Sequence, residues 1–469
     1  MNRLLFAGTG SGCGKTTVTC AFLSACKGRG LSAASFKCGP DYIDTLFHRE
    51  ITGRCAHNLD PYFCGPEALR EQFLKGRGRD VSVIEGVMGY YDGIGATDEA
   101  SAYTVARVTE TPVVLVVNGR SIGNSAGAII KGFCDWRRDS GIRGVIFNHV
   151  SQRRYEALKA IAAQAGVQAF GFLPYDAAVS IESRRLGLVP PTEVEKMREK
   201  ILRLGAVAAQ TLDVEALLAL SKTAPPITAT KARTSDNAPP IAAAGERAAR
   251  ENAPCQEPSA AARPKKKLRL AVARDEAFCF HYAENLECLE FLGAEIAYFS
   301  PMHDRGLPDG IGGLYLGGGW PERHAEQLAA NAGMLAAIRS AVESGLPTLA
   351  ESGGFLLLQE TLDGFPMAGA LPGCGFQTDA LQRFGYAELT ARVDNLLCAA
   401  GQKIRARSFH YMDSDNPGDA FTAHKAGAAL TYRCGHATDT LYAGFPQFYF
   451  PGNPEVARRF VRKAEGYAG

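Results

Sequence analysis

Gly8-Thr-Gly-Ser-Gly-Cys-Gly-Lys-Thr-Thr17 decides the reading of this chain. It follows a short apolar run, Leu4–Ala7, and precedes a helical stretch, Val18–Lys27. Glycines in such a loop, Gly10, Gly12 and Gly14, let the backbone turn its N–H groups toward phosphate oxygens. The helix N-terminus adds its partial positive charge. Gly10, Ser11, Gly12, Gly14, Lys15, Thr16 and Thr17 are therefore the candidate ATP-binding residues. Lys15 is placed on the β/γ-phosphates, and the Thr16 hydroxyl on Mg²⁺. The usual pattern asks for glycine where Thr9 stands, so this is a variant carried by its strand–loop–helix context.

Three further stretches gather around the loop. Glu85 lies just after an apolar strand, Asp80–Ile84. A carboxylate at that end of a parallel strand faces the crevice where such sheets bind ligands, and is a second candidate Mg²⁺ ligand. Phe36-Lys-Cys-Gly-Pro-Asp-Tyr-Ile-Asp44 places Lys37 after another strand and Asp41 and Asp44 in the following loop. A second lysine suits a site where negative charge gathers on a transferring phosphoryl group. Lys15, Lys37, Asp41, Asp44 and Glu85 are the candidate catalytic set.

Outward from this site, Val81–Ile84, Val113–Val117 and Gly144–Phe147 are buried-strand patterns separated by helix-length segments, which predicts a parallel α/β sheet. The opening Met-Asn-Arg-Leu-Leu-Phe-Ala is read as its first strand rather than a secretory signal. The 469 residues exceed one ordinary core, so two domains of roughly 200 residues are expected. Residues 222–267 are rich in Ala, Pro, Thr, Ser and charge, poor in large apolar residues, and read as a flexible linker. Lys265–Lys267 is read as its solvated end. The expected division is 1–221, linker 222–267, and a second α/β unit over 268–469. That unit opens on the strand Leu268–Ala273 and continues with strands in Gly312–Gly319, Leu346–Gly354 and Leu441–Phe450.

Composition excludes several classes. A net charge of +2 gives no global case for nucleic acid or a membrane surface. No run approaches the ~18 apolar residues of a membrane helix. Thirteen scattered cysteines suit a reduced, cytoplasmic setting better than a disulfide framework.

The chain resembles the cobyrinic acid a,c-diamide synthases. The stretches that carry the resemblance are Phe36–Asp44, Asn58-Leu-Asp-Pro61, Glu85-Gly-Val-Met-Gly89 with Asp92-Gly93, and Arg185-Leu-Gly-Leu-Val189. In the second half they are Val272-Ala-Arg-Asp275, Glu284-Asn-Leu286, Tyr315-Leu-Gly-Gly-Gly-Trp-Pro-Glu322 and Phe409-His-Tyr411. The phosphate loop alone is equally similar to dethiobiotin synthetases and partitioning ATPases. The resemblance implies a dethiobiotin synthetase-like P-loop domain followed by a flavodoxin-like class I glutamine amidotransferase-like domain. It implies amidation of the a and c acetate carboxylates of a corrinoid, in cobalamin biosynthesis, through an acyl phosphate made with ATP. It also makes a homodimer an expectation. Two alternatives stay open: a nickel sirohydrochlorin-like macrocycle as substrate, or a nucleotide- or tetrapyrrole-binding protein without ligase activity.

In the resembled glutaminases the nucleophile is the cysteine of Glu-Cys-Gly-Gly. Here Ala350-Glu-Ser-Gly-Gly354 puts Ser352 at that position. The family's two histidines precede Asn-Pro-Glu. Here Phe445-Pro-Gln-Phe-Tyr-Phe450 puts Gln447 and Tyr449 there. A serine without a base is a poor nucleophile. Serine alone could be an engineered replacement; loss of the base as well points to natural degeneration. His410 and His436 have no spacing that puts them beside Ser352, and Cys374 is read as structural. The expectation is a degenerate glutaminase site, with ammonia coming free or from a separate glutaminase.

Overall fold

The computed structural model describes residues 1–176, 183–184, 187–188, 197–227 and 268–468. The linker expectation beyond residue 227, the lysines 265–267, and Arg185, Leu186 and Val189 lie outside them. The chain divides into two compact units, Met1–Ser235 and Asp236–Gly469.

The first unit is built on seven strands: β1 (Arg3–Gly8), β2 (Ala33–Cys38), β3 (His57–Leu59), β4 (Val81–Glu85), β5 (Val113–Asn118), β6 (Ile142–Asn148) and β7 (Gln168–Leu173). Their order is β3-β2-β4-β1-β5-β6-β7, and every pairing is parallel. Helices cover both faces of such a sheet, so its central strands are apolar throughout; Val113–Val117 is buried at every residue. The strand order reverses between β4 and β1, so the crevice lies at their C-terminal ends. Helix α1 (Lys15–Gly28) leaves the end of β1, and α2 (Ile43–Thr52) follows β2. A two-stranded hairpin, β8 (Ser183–Arg184) and β9 (Gly187–Leu188), completes the strands of this unit.

Three sequence expectations shift here. Lys37 lies within β2, not after it, and Glu85 is the last residue of β4, not the residue beyond. Both are buried charged residues, and periodicity is a poor guide to where a polar residue sits on a strand end. Asp44 stands in the first turn of α2, whose buried face is Ile43, Asp44, Phe47, His48 and Ile51. The Gly-Pro-Asp that precedes it looked like loop, and only Asp41 remains there.

In the second unit the parallel strands are β10 (Arg269–Ala273), β11 (Glu295–Phe299), β12 (Gly313–Leu316) and β13 (Thr348–Glu351). A second sheet then enters: β14 (Thr361–Leu362), β15 (Phe365–Pro366), β16 (Cys374–Ala391), β17 (Lys403–Ser414), β18 (Phe421–Lys425) and β19 (Thr431–Cys434). The chain returns through β20 (His436–Ala437) and β21 (Leu441–Gly444). The first sheet runs β11-β10-β12-β13-β21-β20, parallel up to β21, with β20 antiparallel at the edge. Its first five strands have the flavodoxin-like order 2-1-3-4-5. The second sheet, mostly antiparallel, packs its Leu389, Ile404, Phe421 and Ala423 with Leu270, Val272, Tyr315 and Leu349 of the first. That sheet was not legible in the sequence. The eighteen residues of β16 contain only two β-branched residues, Thr378 and Thr390, and two glycines.

Candidate functional site

The phosphate loop spans the gap between β1 and α1. Gly12 and Gly14 take left-handed backbone, with φ of 74° and 99°; Gly10 does not. A side chain at Gly14 would also land 1.9 Å from Asn148 Nδ2, which donates to Cys13 O. No side chain caps α1, and its first turn holds no acidic residue. Its leading amides are thus left for an anion. Lys15 Nζ donates to Gly10 O at 2.9 Å and Met88 O at 2.6 Å, inside the ring of the loop. Burial lowers its pKa, with Cys13 acting in the opposite sense.

Beside the loop is a buried polar cluster drawn from four elements. Glu85 of β4 is its centre. Its Oε1 accepts from Thr16 Oγ1 of α1 at 2.6 Å and from Lys37 Nζ of β2 at 2.8 Å. Its Oε2 faces His48 Nε2 of α2 at 2.7 Å. Lys37 Nζ also reaches Asp44 Oδ2 at 2.6 Å, and Asp44 Oδ1 lies 3.0 Å from Thr16 Oγ1, whose single proton the two carboxylates share. Parallel pairing sets Lys37 directly opposite Glu85. Asp41 accepts from Ile43 N at 3.0 Å, at the entry to α2, and acts on Asp44 through its charge and a side-chain hydrogen bond.

The titration of the cluster is lopsided. Burial alone would raise Glu85, but Lys37 and His48 outweigh it and hold the carboxylate well below the ordinary range. Burial alone would lower Lys37, yet Asp44 and Glu85 hold it charged. Asp44 is pushed up, first by burial and then by the Asp41 and Glu85 carboxylates. One ammonium cannot neutralise all the acid gathered here. Among the described residues no group of three or more His, Cys, Asp or Glu is arranged to hold a metal alone.

Motif residues around the cluster hold the loops. Asn58 Nδ2 donates to Gly39 O and Asp41 O, both at 2.8 Å. Asp92 accepts from Gly89 N at 2.8 Å.

The second unit carries a different kind of site. Ser352 stands between β13 and a short helix, Gly353–Leu358, with φ 51° and ψ −106°. Its amide donates to Gly444 O, and its hydroxyl makes no hydrogen bond among the described residues. This is the strained strand-to-helix elbow that presents a nucleophile. The close packing behind it admits only glycine: a Cβ on Gly354 would lie 2.2 Å from Leu316 O, and one on Gly319 1.8 Å from Ala277 O. Gln447 lies beside the glycine loop; its Nε2 sits 2.6 Å from where a Cβ of Gly318 would be. Its Oε1 accepts from Arg407 Nε at 3.1 Å, and the two backbones pair in both directions. Tyr449 is buried edge-on to Tyr282.

No histidine hydrogen-bonds to Ser352 among the described residues. His281, His410 and His436 each give a ring nitrogen to a backbone carbonyl, of Ala273, Met412 and Asn416. His410 also stacks on Phe445 at 3.9 Å. Glu351, next to the elbow, is pushed up to about 7 by burial, against hydrogen bonds from Phe448 N and Tyr315 Oη and the nearby Arg407.

Comparison with known proteins decides the family. Residues 4–188 match the CobQ/CobB/MinD/ParA nucleotide binding domain, and residues 269–380 the CobB/CobQ-like glutamine amidotransferase domain. The cobyrinate a,c-diamide synthase of Caldanaerobacter subterraneus subsp. tengcongensis is 36% identical, over 99% of this chain and 98% of its own. The chain belongs to the cobyrinate a,c-diamide synthase family. Another relative, from Clostridium acetobutylicum, carries the same name and is 34% identical over 98% of this chain and 100% of its own. The hydrogenobyrinate a,c-diamide synthase of Streptomyces coelicolor is 38% identical over 98% and 97%.

Within this family frame, the structure brings Thr16, Lys37, Asp44 and Glu85 together beside Lys15 and leaves Asp41 at the edge. Sequence reading missed His48. The signal was present: His48 follows Asp44 by four residues, so both share one face of α2. Among the described residues no helix is long and apolar enough to cross a membrane.

Proposed function

We propose that this chain is an ATP-dependent amidoligase acting on the a and c acetate carboxylates of cobyrinate or a related corrinoid, through an acyl phosphate, with ammonia its own second unit does not make. The buried Thr16–Lys37–Asp44–Glu85 cluster beside the phosphate loop carries the reading. Lys15 and the open amides of α1 would hold the phosphates of ATP. Lys37 would stabilise charge on the transferring phosphoryl group as a carboxylate oxygen of the substrate attacks it and ADP leaves. Ammonia then attacks the acyl carbon, and phosphate departs as the amide forms.

Thr16 Oγ1, Asp44 Oδ1 and Glu85 Oε1 are hard oxygen donors within hydrogen-bond reach of one another through Thr16. The cluster has more acid than its lysine can neutralise, so the set fits Mg²⁺ completed by phosphate oxygens. Bound there, Mg²⁺ would neutralise phosphate charge. Retention of every charged member of the cluster favours a working ligase over a passive binding protein.

The second unit supports the nitrogen assignment. It keeps the elbow and the glycine loop, but Ser352 has no base, and Gln447 is engaged by Arg407. The test follows isotopes through the reaction. With ¹⁸O in the substrate carboxylate and ammonium as donor, label should appear in released phosphate; its absence would end the acyl phosphate reading. With ¹⁵N-amide glutamine and purified chain, no label should reach the product, and Ser352→Cys should not change that. Incorporation matching the ammonium rate would overturn the degenerate-glutaminase reading.

A further inference from the structure

We propose that His48 is a positioning residue, setting the orientation of the Glu85 carboxylate so that Oε1 is presented to Thr16 and the phosphate loop. The inference rests on the reading of the Glu85 cluster as the phosphoryl-transfer site and adds a residue to it.

Three observations support it. His48 and Glu85 are both fully buried, and their contact is 2.7 Å. A carboxylate oxygen at this distance accepts, so the contact is one in which the imidazole donates its Nε2–H to Oε2. The other ring nitrogen, Nδ1, is buried and has no hydrogen-bond partner among the described residues. Among the described residues no second side-chain hydrogen bond accounts for a histidine here; its polar contact is Glu85.

The geometry explains why a carboxylate needs this. The terminal torsion of glutamate is soft, so the carboxylate plane is set by its partners. Thr16 and Lys37 both approach Oε1. They leave Oε2 unsupported, and a carboxylate held at one oxygen can swing about it. His48 supplies the second point, and α2 delivers it rigidly because Asp44, one turn earlier on the same face, is tied to Lys37 and Thr16. One helix thus brings a candidate ligand and the group that orients another.

The consequence is a separation of roles. Phosphate binding by Lys15 and the α1 amides should not depend on His48. The gain in ATP affinity that comes with Mg²⁺ should. Loss of an outer-shell partner of a metal ligand typically costs about 10- to 100-fold in metal affinity or activity.

Three variants test it. His48→Gln keeps an N–H donor near the position of Nε2. His48→Leu fills similar volume without a donor. His48→Asn is polar, but its amide falls short of Glu85, and it stands in should the leucine variant fail to fold. ATP binding is measured by calorimetry on the full chain, once with chelator and once with Mg²⁺, alongside kcat and KM for ATP. Chelated ATP should bind all variants as it binds wild type. The Mg²⁺-dependent gain should fall roughly 10- to 100-fold in His48→Leu and His48→Asn. It should stay within about threefold of wild type in His48→Gln, with kcat rather than KM following the same order. A purely structural histidine would lower thermal stability and leave the gain and kcat untouched. An undiminished gain in the leucine or asparagine variant, or an equal loss in the glutamine variant, overturns the inference. Failure of wild type to bind chelated ATP at all would instead overturn the phosphate-loop reading beneath it.

Discussion

The two units keep different halves of an active site. In the first, Thr16, Lys37, Asp44, His48 and Glu85 form one hydrogen-bonded network beside Lys15. In the second, the backbone forms the elbow, and no histidine hydrogen-bonds to Ser352 among the described residues. The elbow at Ser352 and the glycine loop Gly317–Gly319 are in place, and on the proposed reading Ser352, Gln447 and Tyr449 stand where nucleophile and base would be. The difference teaches which features the packing itself holds. Glycine contacts such as Gly354 on Leu316 O are tied to the packing of β12 against β13, so they persist with the fold. A nucleophile or a base is tied to nothing but its reaction.

The largest expected effect breaks the comparison at its charged end. Glu85→Gln should lower turnover about 100- to 1,000-fold while ATP affinity in the presence of chelator changes little. Steady-state kinetics with ammonium, set against calorimetry, checks this. A variant with near-normal turnover would reduce the cluster to a structural ion-pair network.

At the backbone end, Gly319→Ala should destabilise the second unit by about 3 kcal/mol. The clash is with a backbone carbonyl, Ala277 O, which no rotamer change relieves. Chemical denaturation followed by a probe in the second unit measures it, and a cost near zero would mean the glycine loop is not held by packing.

The pH dependence of stability sharpens the contrast, because at the carboxylate beside the elbow burial outweighs the nearby Arg407. Glu351 rises from 4.5 to about 7. Its neutral form is favoured in the folded chain, so its contribution is whole below about pH 4.5 and is lost as pH climbs through 7. Glu351→Gln should match wild type near pH 4.5 and become the more stable by up to about 3 kcal/mol above pH 8. His281 and His410, both pulled down to about 4 by burial, make stability rise between pH 4 and 6.5, but equally in both proteins. Melting curves of the pair across pH 4.5–8.5 read the difference directly. A constant offset would contradict the shift.

The smallest effect concerns strain. A serine at φ 51° holds backbone that glycine adopts freely, at a cost of about 1 kcal/mol. Ser352→Gly should therefore stabilise the second unit by about that amount and leave ammonium-dependent amide formation unchanged. A fall in that activity would show Ser352 still at work.

Much of this was legible in the residues. The phosphate loop, the parallel sheet and the elbow at Ser352 are local: a strand, a turn and a helix start are set by neighbours within a few positions. The placement of Lys37, Asp44 and Glu85 near Lys15 was legible too, because parallel strands deliver their C-terminal ends to one edge. What local pattern misplaced was the polar residue at a strand end, Lys37 inside β2 and Glu85 inside β4, since a buried charge breaks the apolar run that marks a strand.

The chain by itself therefore determined the two α/β units and the loop and elbow on which their sites are built. Tertiary structure alone decided that His48 of α2 meets Glu85 of β4, thirty-seven residues away. It also decided that Arg407 of β17 takes hold of Gln447, and that β14–β19 build a second sheet against the first. Each of these depends on segments far apart in sequence closing on one another. No periodicity within a segment records what will lie across from it, so the partners are fixed only when the packed core fixes the distance between them.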